Sequence, residues 1–173
     1  QNDVYLPGLP IPENVRVTTG FAEALEAAEI LLSVVPSSYV RRVYEQMRPW
    51  LRPGIQVVSA TKGIENGTLL RMSEVIRQTL PFPAEVAVLS GPTFAREVAK
   101  GSPTATVVAA NDPDLARSIQ HAFAGPSLRL YTNPDPVGVE VGGAVKNVVA
   151  IGAGVCQGLG LGSNALAALI TRG

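Results

Sequence analysis

Residues 30–36 read Ile-Leu-Leu-Ser-Val-Val-Pro, and this short stretch decides the class of fold. Its apolar residues follow one another without the alternation expected of a strand that has one face in water. A continuous apolar run that ends at a proline is typical of a strand buried on both faces, as in parallel sheets covered by helices on both sides. The stretch therefore predicts a strand at 30–35 and an α/β fold class.

The rest of the first 136 residues alternates between strand and helix patterns. Further strands are predicted at 15–18, 55–60, 86–90, 105–110 and 128–131, and helices at 21–28, 38–51, 68–79, 93–100 and 113–124. The last of these helices has the clearest start, because Asp112 can cap it and Pro113 suits its first position. The alternation predicts a doubly wound parallel sheet, which binds ligands beyond the carboxyl ends of its strands.

The pattern changes after Asn133-Pro134-Asp135-Pro136, where no further strand follows. Helical segments at 137–156 and 165–171 flank a glycine-rich break. We therefore expect a sheet domain at 1–136 and the beginning of an all-helical domain at 137–173. The segment 137–156 is nearly long enough to span a membrane, but Glu140, Lys146 and five glycines favour a helix packed within protein.

Composition limits the classes of function. The chain has 173 residues, 46% of them hydrophobic, with 14 basic and 14 acidic side chains and no basic run, so nucleic acid is not an expected partner. Cys156 and His121 are the only cysteine and histidine, which leaves no disulfide and no metal site to expect. A reducing, cytoplasmic compartment fits this cysteine usage. No signal-peptide pattern opens the sequence.

One charge stands out in the helical region. Between Val141 and Thr171 the only ionisable residue, apart from the Cys156 thiol, is Lys146. Apolar neighbours would desolvate an ammonium and lower its pKa, which suits acid/base chemistry near neutral pH. The alternative is a lysine whose stem packs while its charged end stays in water.

Polar side chains also follow three of the predicted strands. Lys62 follows the strand at 55–60 and can reach an anion there, or it is simply a solvated loop lysine. Gly91 would let the backbone approach a ligand, and Thr93 sits at the predicted helix N-cap, where it could serve a ligand or only its own helix. Tyr39 could stack on a flat ring, or pack as an ordinary partly buried tyrosine.

Five sequence blocks together resemble one enzyme family. They are YLPGLPIPENV at 5–15, VVPS at 34–37, SATKGIE at 59–65, LSGPTFAREV at 89–98 and the long block from GVEVGGAVKN to ITRG at 138–173. In this order and spacing they resemble the bacterial NAD(P)-dependent glycerol-3-phosphate dehydrogenases. The resemblance implies a Rossmann-like domain, NAD or NADP as cofactor, and interconversion of glycerol 3-phosphate and dihydroxyacetone phosphate for phospholipid synthesis.

The resemblance also implies roles for single residues. Lys146 matches the family's catalytic lysine and is expected to contact the substrate. Lys62 matches a lysine that contacts both substrate and cofactor. Gly91 and Thr93 match substrate-contacting positions, while Ala95 and, less closely, Tyr39 match positions beside the cofactor.

The family's pattern extends beyond this sequence at both ends. The glycine-rich first strand, turn and helix that hold the cofactor pyrophosphate are absent before Gln1, and the family's later substrate groups are absent after Gly173. We therefore expect the 173-residue chain alone to have little or no turnover. Two alternatives stay open, a sister dehydrogenase of another small hydroxy compound and a non-catalytic binding module. An apolar start to the helical domain is compatible with a homodimer.

Overall fold

A computed structural model describes residues 4–172, so the outermost ends of both predicted domains lie outside it. One sheet of five strands forms in the order β1-β2-β3-β4-β5. The strands are β1 (Ile30–Ser33), β2 (Gln56–Ser59), β3 (Val86–Ser90), β4 (Thr104–Ala109) and β5 (Leu128–Asn133). Each lies within or close to a predicted strand, and the sheet confirms the α/β, Rossmann-like class.

Seven α-helices lie within the described residues. They are α1 (Phe21–Leu25), α2 (Val40–Met47), α3 (Met72–Thr79), α4 (Ala95–Ala99), α5 (Pro113–Phe123), α6 (Pro136–Gly158) and α7 (Gly162–Arg172). Short 3₁₀ turns flank α2 on both sides. Asp112 caps α5 as predicted, because its carboxylate accepts a hydrogen bond from the Asp114 N–H at 2.8 Å.

Helices cover the sheet on both faces, as the continuous apolar strands predict. Successive residues of one strand enter different hydrophobic clusters: Val57 packs with α2 and α3, whereas Val58 packs with α5. Val86 and Ala87 divide in the same way on β3. Because side chains alternate between the two faces of a strand, a strand buried on both sides needs apolar residues at every position.

The sheet is mixed rather than wholly parallel. β4 runs antiparallel to β3, while all other neighbouring pairs are parallel. The helix between them is short, since α4 has five residues where eight were predicted. β4 begins at the end of the sheet where β3 ends, and Ser90 there pairs with Val107.

Three local predictions were wrong. Residues 15–18 form no strand, since no neighbouring strand offers them hydrogen bonds and Val17 is exposed. Helix α3 starts at Met72 rather than 68, because Arg71 forms a bridge with Ile64 that closes the preceding loop. Thr93 is not a helix cap, since the N-cap of α4 is Phe94.

Helix α6 leaves β5 and packs its first turns on β3 and β4. Farther along it packs on α7, where Gly152 faces Leu169 across the turn between the two helices. By length and composition alone α6 is apolar enough to cross a membrane. Among its 23 residues only Pro136 and Glu140 are buried, so the burial within protein expected from the sequence is not found, although the first turns do pack on the sheet.

Candidate active site

The segments that follow β1, β2 and β3 meet at one edge of the sheet, because these strands are parallel. The segment after β2 is tied to the end of β1 by the Thr61 hydroxyl, which donates to the Val35 carbonyl at 2.7 Å. Gly63 lies so close to the segment after β1 that an added Cβ would stand 2.9 Å from Ser37. The three post-strand segments thus form one continuous surface.

Lys62 crosses from the segment after β2 to the segment after β3. Its ammonium donates to the Gly91 carbonyl at 2.8 Å and to the Thr93 hydroxyl at 3.4 Å. Both contacts leave a donor of the ammonium free, since a lysine has three N–H groups. The structure therefore brings together three residues that the sequence proposed separately.

Gly91 stands where only glycine fits. Its φ is +156°, and an added Cβ would lie 2.6 Å from the Thr106 hydroxyl and 2.9 Å from the Thr106 Cα atom. The Thr106 hydroxyl donates to the Ser90 carbonyl at 2.7 Å, which pins β4 against the end of β3. Gly91 thus allows a close approach of β4 to the backbone, and the approach of a ligand stays a prediction.

Helix α6 closes the other side of this edge and forms a cleft of about 360 Å³. The approach is close because Gly143 has no side chain: an added Cβ would stand 2.5 Å from the Ser90 hydroxyl oxygen and 3.8 Å from Lys62 Cγ. The cleft is lined by Lys62, Ser90, Gly91, Pro92, Val107, Gly138, Val139, Gly142, Gly143 and Lys146. Both candidate lysines therefore line a single cleft.

Lys146 lies one turn beyond Gly143 on α6. Its ammonium stands 5.5 Å from the centroid of the Phe94 ring, within the range of a cation–π contact. Lys146 is exposed in this structure, so the burial that its apolar neighbours led us to expect is not found. Its position at the cleft, and not desolvation, is what singles it out.

The charge of Lys146 acts on Lys62. Partial burial lowers the pKa of Lys62, and the positive charge of Lys146 lowers that pKa further. A cleft that holds two cations and an apolar lining attracts an anion and has spare hydrogen-bond donors for it. Among the described residues no group of three His, Cys, Asp or Glu side chains could hold a metal ion.

The other predicted site residues lie around the cleft rather than in it. Thr93 adjoins it through Lys62, and Ala95 follows Phe94 at the exposed start of α4. Tyr39 ends the 3₁₀ turn after β1, is 54% exposed, and lies at the same edge of the sheet two strands from β3. Neither Tyr39 nor Ala95 lines the cleft.

Four residues of this region were missed by sequence reasoning. Ser90 and Gly143 form the contact between β3 and α6, and Phe94 lies under the Lys146 ammonium. Glu140 anchors α6, as described below. Phe94 stands between two residues already singled out, and Glu140 is the only other charge near Lys146 in the helix, so both positions carried a signal that could have been used.

Comparison with known proteins agrees with the geometry. Residues 1–116 match the family described as NAD-dependent glycerol-3-phosphate dehydrogenase N-terminus, and residues 135–173 match the family described as NAD-dependent glycerol-3-phosphate dehydrogenase C-terminus. The chain belongs to the NAD-dependent glycerol-3-phosphate dehydrogenase family. The resemblance carried by the five sequence blocks is thereby confirmed.

Relatives within the glycerol-3-phosphate dehydrogenase family align with the whole of this chain, but the alignment covers only part of each relative's own length. The chain is 55% identical over 174 residues to glycerol-3-phosphate dehydrogenase (NAD(P)+) of Koribacter versatilis, which covers 99% of this chain and 52% of the relative. It is 54% identical to the enzyme of the same name from Acidobacterium capsulatum, covering 100% of this chain and 53% of that relative. The chain thus spans about half the length of the curated relatives it matches.

Solved structures of family members have the same fold. The glycerol-3-phosphate dehydrogenase of Coxiella burnetii superposes with a TM-score of 0.85 at 38% identity, over 99% of this chain and 52% of that one. The glycerol-3-phosphate dehydrogenase of Plasmodium falciparum superposes with a TM-score of 0.88 at 27% identity, over 97% of this chain and 47% of that one.

Proposed function

We propose that the intact protein carrying residues 1–173 interconverts glycerol 3-phosphate and dihydroxyacetone phosphate with NAD or NADP as cofactor. The observation that carries the proposal is the convergence of Lys62 and Lys146 on one cleft at the carboxyl ends of β2 and β3. Two ammonium groups in one small cleft suit a substrate with a phosphate and a carbonyl oxygen that gains negative charge.

Lys146 is the proposed acid/base group. When the carbonyl carbon of dihydroxyacetone phosphate is reduced, negative charge grows on its oxygen, and a nearby ammonium stabilises that charge and donates a proton. In the opposite direction the neutral amine accepts the proton of the alcohol. The exposure of Lys146 on the cleft side of α6 leaves its three donors available for this work.

Lys62 and its neighbours are proposed to orient the substrate. Lys62 is held by the Gly91 carbonyl at 2.8 Å, so its charge is fixed rather than free to move with a long side chain. Gly91 and Thr93 then offer a backbone and a hydroxyl beside that charge. A fixed charge with adjacent polar groups loses little entropy when it binds an anion, which lowers the cost of orienting the substrate.

The residues at the open end of this edge fit a nicotinamide cofactor. Tyr39 presents an exposed ring beyond β1, Ala95 presents backbone at the start of α4, and Lys62 lies between them. We propose that these three residues contact the cofactor, which supplies or accepts the hydride when bound. The protein itself orients the substrate beside the cofactor and positions the Lys146 ammonium to donate its proton.

The test is turnover of the intact protein and of its lysine variants. We expect NADH or NADPH oxidation with dihydroxyacetone phosphate, and a fall in kcat of about 10² to 10⁴-fold in Lys146→Met, the range that general acid catalysis contributes. Lys146→Arg keeps the charge but does not exchange its proton near neutral pH, so it should recover binding and not kcat. Residues 1–173 contain a third lysine, Lys100, which lies outside the cleft and provides the control Lys100→Met.

The outcomes also separate the alternatives. Faster turnover of a non-phosphorylated hydroxy acid or its ketone would identify a sister dehydrogenase instead. Unchanged activity in Lys146→Met would point to a non-catalytic role for this part of the protein. The same assay on residues 1–173 alone tests the predicted lack of turnover of the isolated chain.

We also propose that the chain divides into a nucleotide-binding domain at 1–136 and a substrate domain from 137. A cytoplasmic location and a homodimer are proposed as well. Support for the division is the end of the sheet at Asn133 and the helical structure that follows. Support for a dimer is limited to the exposed apolar residues of α6, including Val148 and Ile151. The mass of the intact protein measured by light scattering tests the dimer.

A further inference from the structure

One carboxylate on α6 is buried and has no place in the proposed chemistry. Glu140 is 6% exposed and lies six residues before Lys146. It accepts three hydrogen bonds, from Arg71 Nη1 at 2.8 Å, from the Ser73 N–H at 2.8 Å and from the Ser73 hydroxyl at 2.6 Å. It does not line the cleft, so it cannot act on a substrate there directly.

The partners of Glu140 belong to the segment that carries Lys62. That segment runs from Thr61 to Arg71 and is closed on itself by the bridge between Ile64 and Arg71 and by the hydrogen bond from the Glu65 N–H to the Leu70 carbonyl. Arg71 is therefore the fixed end of the Lys62 segment, and Ser73 lies in the first turn of α3. Through Arg71, one ion pair joins the segment of Lys62 to the helix of Lys146.

The geometry of α6 means that the contacts of Glu140 also determine where Lys146 lies. Glu140 and Lys146 are separated by a rise of about 9 Å and point to different sides of the helix. Between them, Gly143 fixes how near α6 comes to β3. Contact at Gly143 alone would let the helix slide or rotate, whereas the three hydrogen bonds of Glu140 fix both the rotation and the position along the axis.

We propose that Glu140 is a positioning residue that holds Lys146 against Lys62 by locking α6 to Arg71 and Ser73. The inference rests on the proposed function for its effect on catalysis, but the positioning itself concerns only the two amines. An apolar contact at this place would hold the helix to the sheet without defining its register, because hydrophobic contacts have no direction. The ion pair therefore serves geometry as well as stability.

The first test measures geometry without any turnover. A short amine-reactive cross-linker is applied to the intact protein, and mass spectrometry quantifies the product that joins Lys62 to Lys146, with Lys100 as the internal reference for reactivity. We expect the cross-link in the wild type and a several-fold lower yield in Glu140→Gln, which preserves shape but loses the ion pair. An equal yield in the two proteins would overturn the proposal.

The second test separates positioning from stability. Glu140→Gln should lower kcat by about 10 to 100-fold, the scale of a misplacement near 1 Å, with little change in the KM for the cofactor. The double variant Arg71→Met/Glu140→Gln removes both charges of the ion pair, and the Glu74 carboxylate that also pairs with Arg71 is exposed enough to stay hydrated, so the melting temperature should recover while kcat stays low. Recovery of kcat together with stability would show a purely structural role and refute the inference.

A milder variant covers the case in which Glu140→Gln does not fold. Ser73→Ala removes the hydroxyl that donates to Glu140 and accepts from Arg71, but it keeps the ion pair, so a smaller fall in both the cross-link yield and kcat is expected. Absence of turnover in the wild type would count against the proposed function only, since the cross-link would still report on Glu140. A Ser73→Ala protein with wild-type cross-linking and kcat would count against the positioning role.

Discussion

A methyl group added at Gly143 tests how the cleft is built. In Gly143→Ala the new Cβ would stand 2.5 Å from the Ser90 hydroxyl oxygen, whereas ordinary contacts begin at about 3.5 Å. Either the Ser90 side chain rotates away or α6 moves outward by about 1 Å. Because Lys146 lies one turn farther along α6, an outward movement would carry its ammonium away from Lys62.

The expected magnitudes follow from two opposed effects. Overpacking costs about 1 to 3 kcal/mol, while replacing a helical glycine by alanine gains about 0.5 to 1 kcal/mol. We therefore expect Gly143→Ala to lose about 1 kcal/mol in the free energy of unfolding, measured by urea denaturation. A shift near 1 Å should lower kcat by about 100-fold in the reduction of dihydroxyacetone phosphate.

Two further variants make the result decisive. Gly154 lies on the same helix with no atom within 4 Å of an added Cβ, so Gly154→Ala should keep kcat and gain about 0.5 kcal/mol or more. In Gly143→Ala/Ser90→Ala the clashing hydroxyl is gone and Ser90 Cβ, at 3.6 Å, is an ordinary neighbour, so kcat should recover. If Gly143→Ala behaves like Gly154→Ala, or if the double variant is no better than the single one, the reasoning is wrong.

Three other predictions concern stability. The Arg41 guanidinium, and then the Thr68 hydroxyl, lower the pKa of Glu65 to about 2, so this pair stabilises the fold above pH 4.5 and the contribution is lost as the pH falls toward 2. Glu65→Gln should lower the free energy of unfolding by about 1 to 2 kcal/mol at pH 7 and weaken the loss of stability at acid pH. If stability falls at acid pH as steeply as in the wild type, the Arg41–Glu65 pair is not the cause of that loss. Asp112→Ala removes the cap of α5 and should cost about 1 kcal/mol in urea denaturation with no change in kcat. Leu69 has φ +59° and is 77% exposed, so Leu69→Asn should raise stability by about 1 kcal/mol and Leu69→Val should lower it, a ranking that thermal unfolding can contradict.

Local sequence determined the helices and strands and the individual residues proposed for the site. The continuous apolar run at 30–35 predicted a strand buried on both faces, and β1 lies within it. Lys62, Gly91 and Thr93 were singled out because each follows a strand, and the hydrogen bonds of Lys62 join all three. Such features depend on neighbours along the chain, which a sequence displays directly.

Tertiary structure alone decided how those parts face one another. The direction of β4 depends on its pairing with β3, which the pattern of the short helix α4 between them does not specify. The exposure of Lys146 depends on which side of α6 meets the sheet, and neither its apolar neighbours nor its charge specifies that side. Glu140 finds Arg71 across 69 residues of chain, and packing between distant segments, unlike helix or strand period, leaves no regular spacing in the sequence.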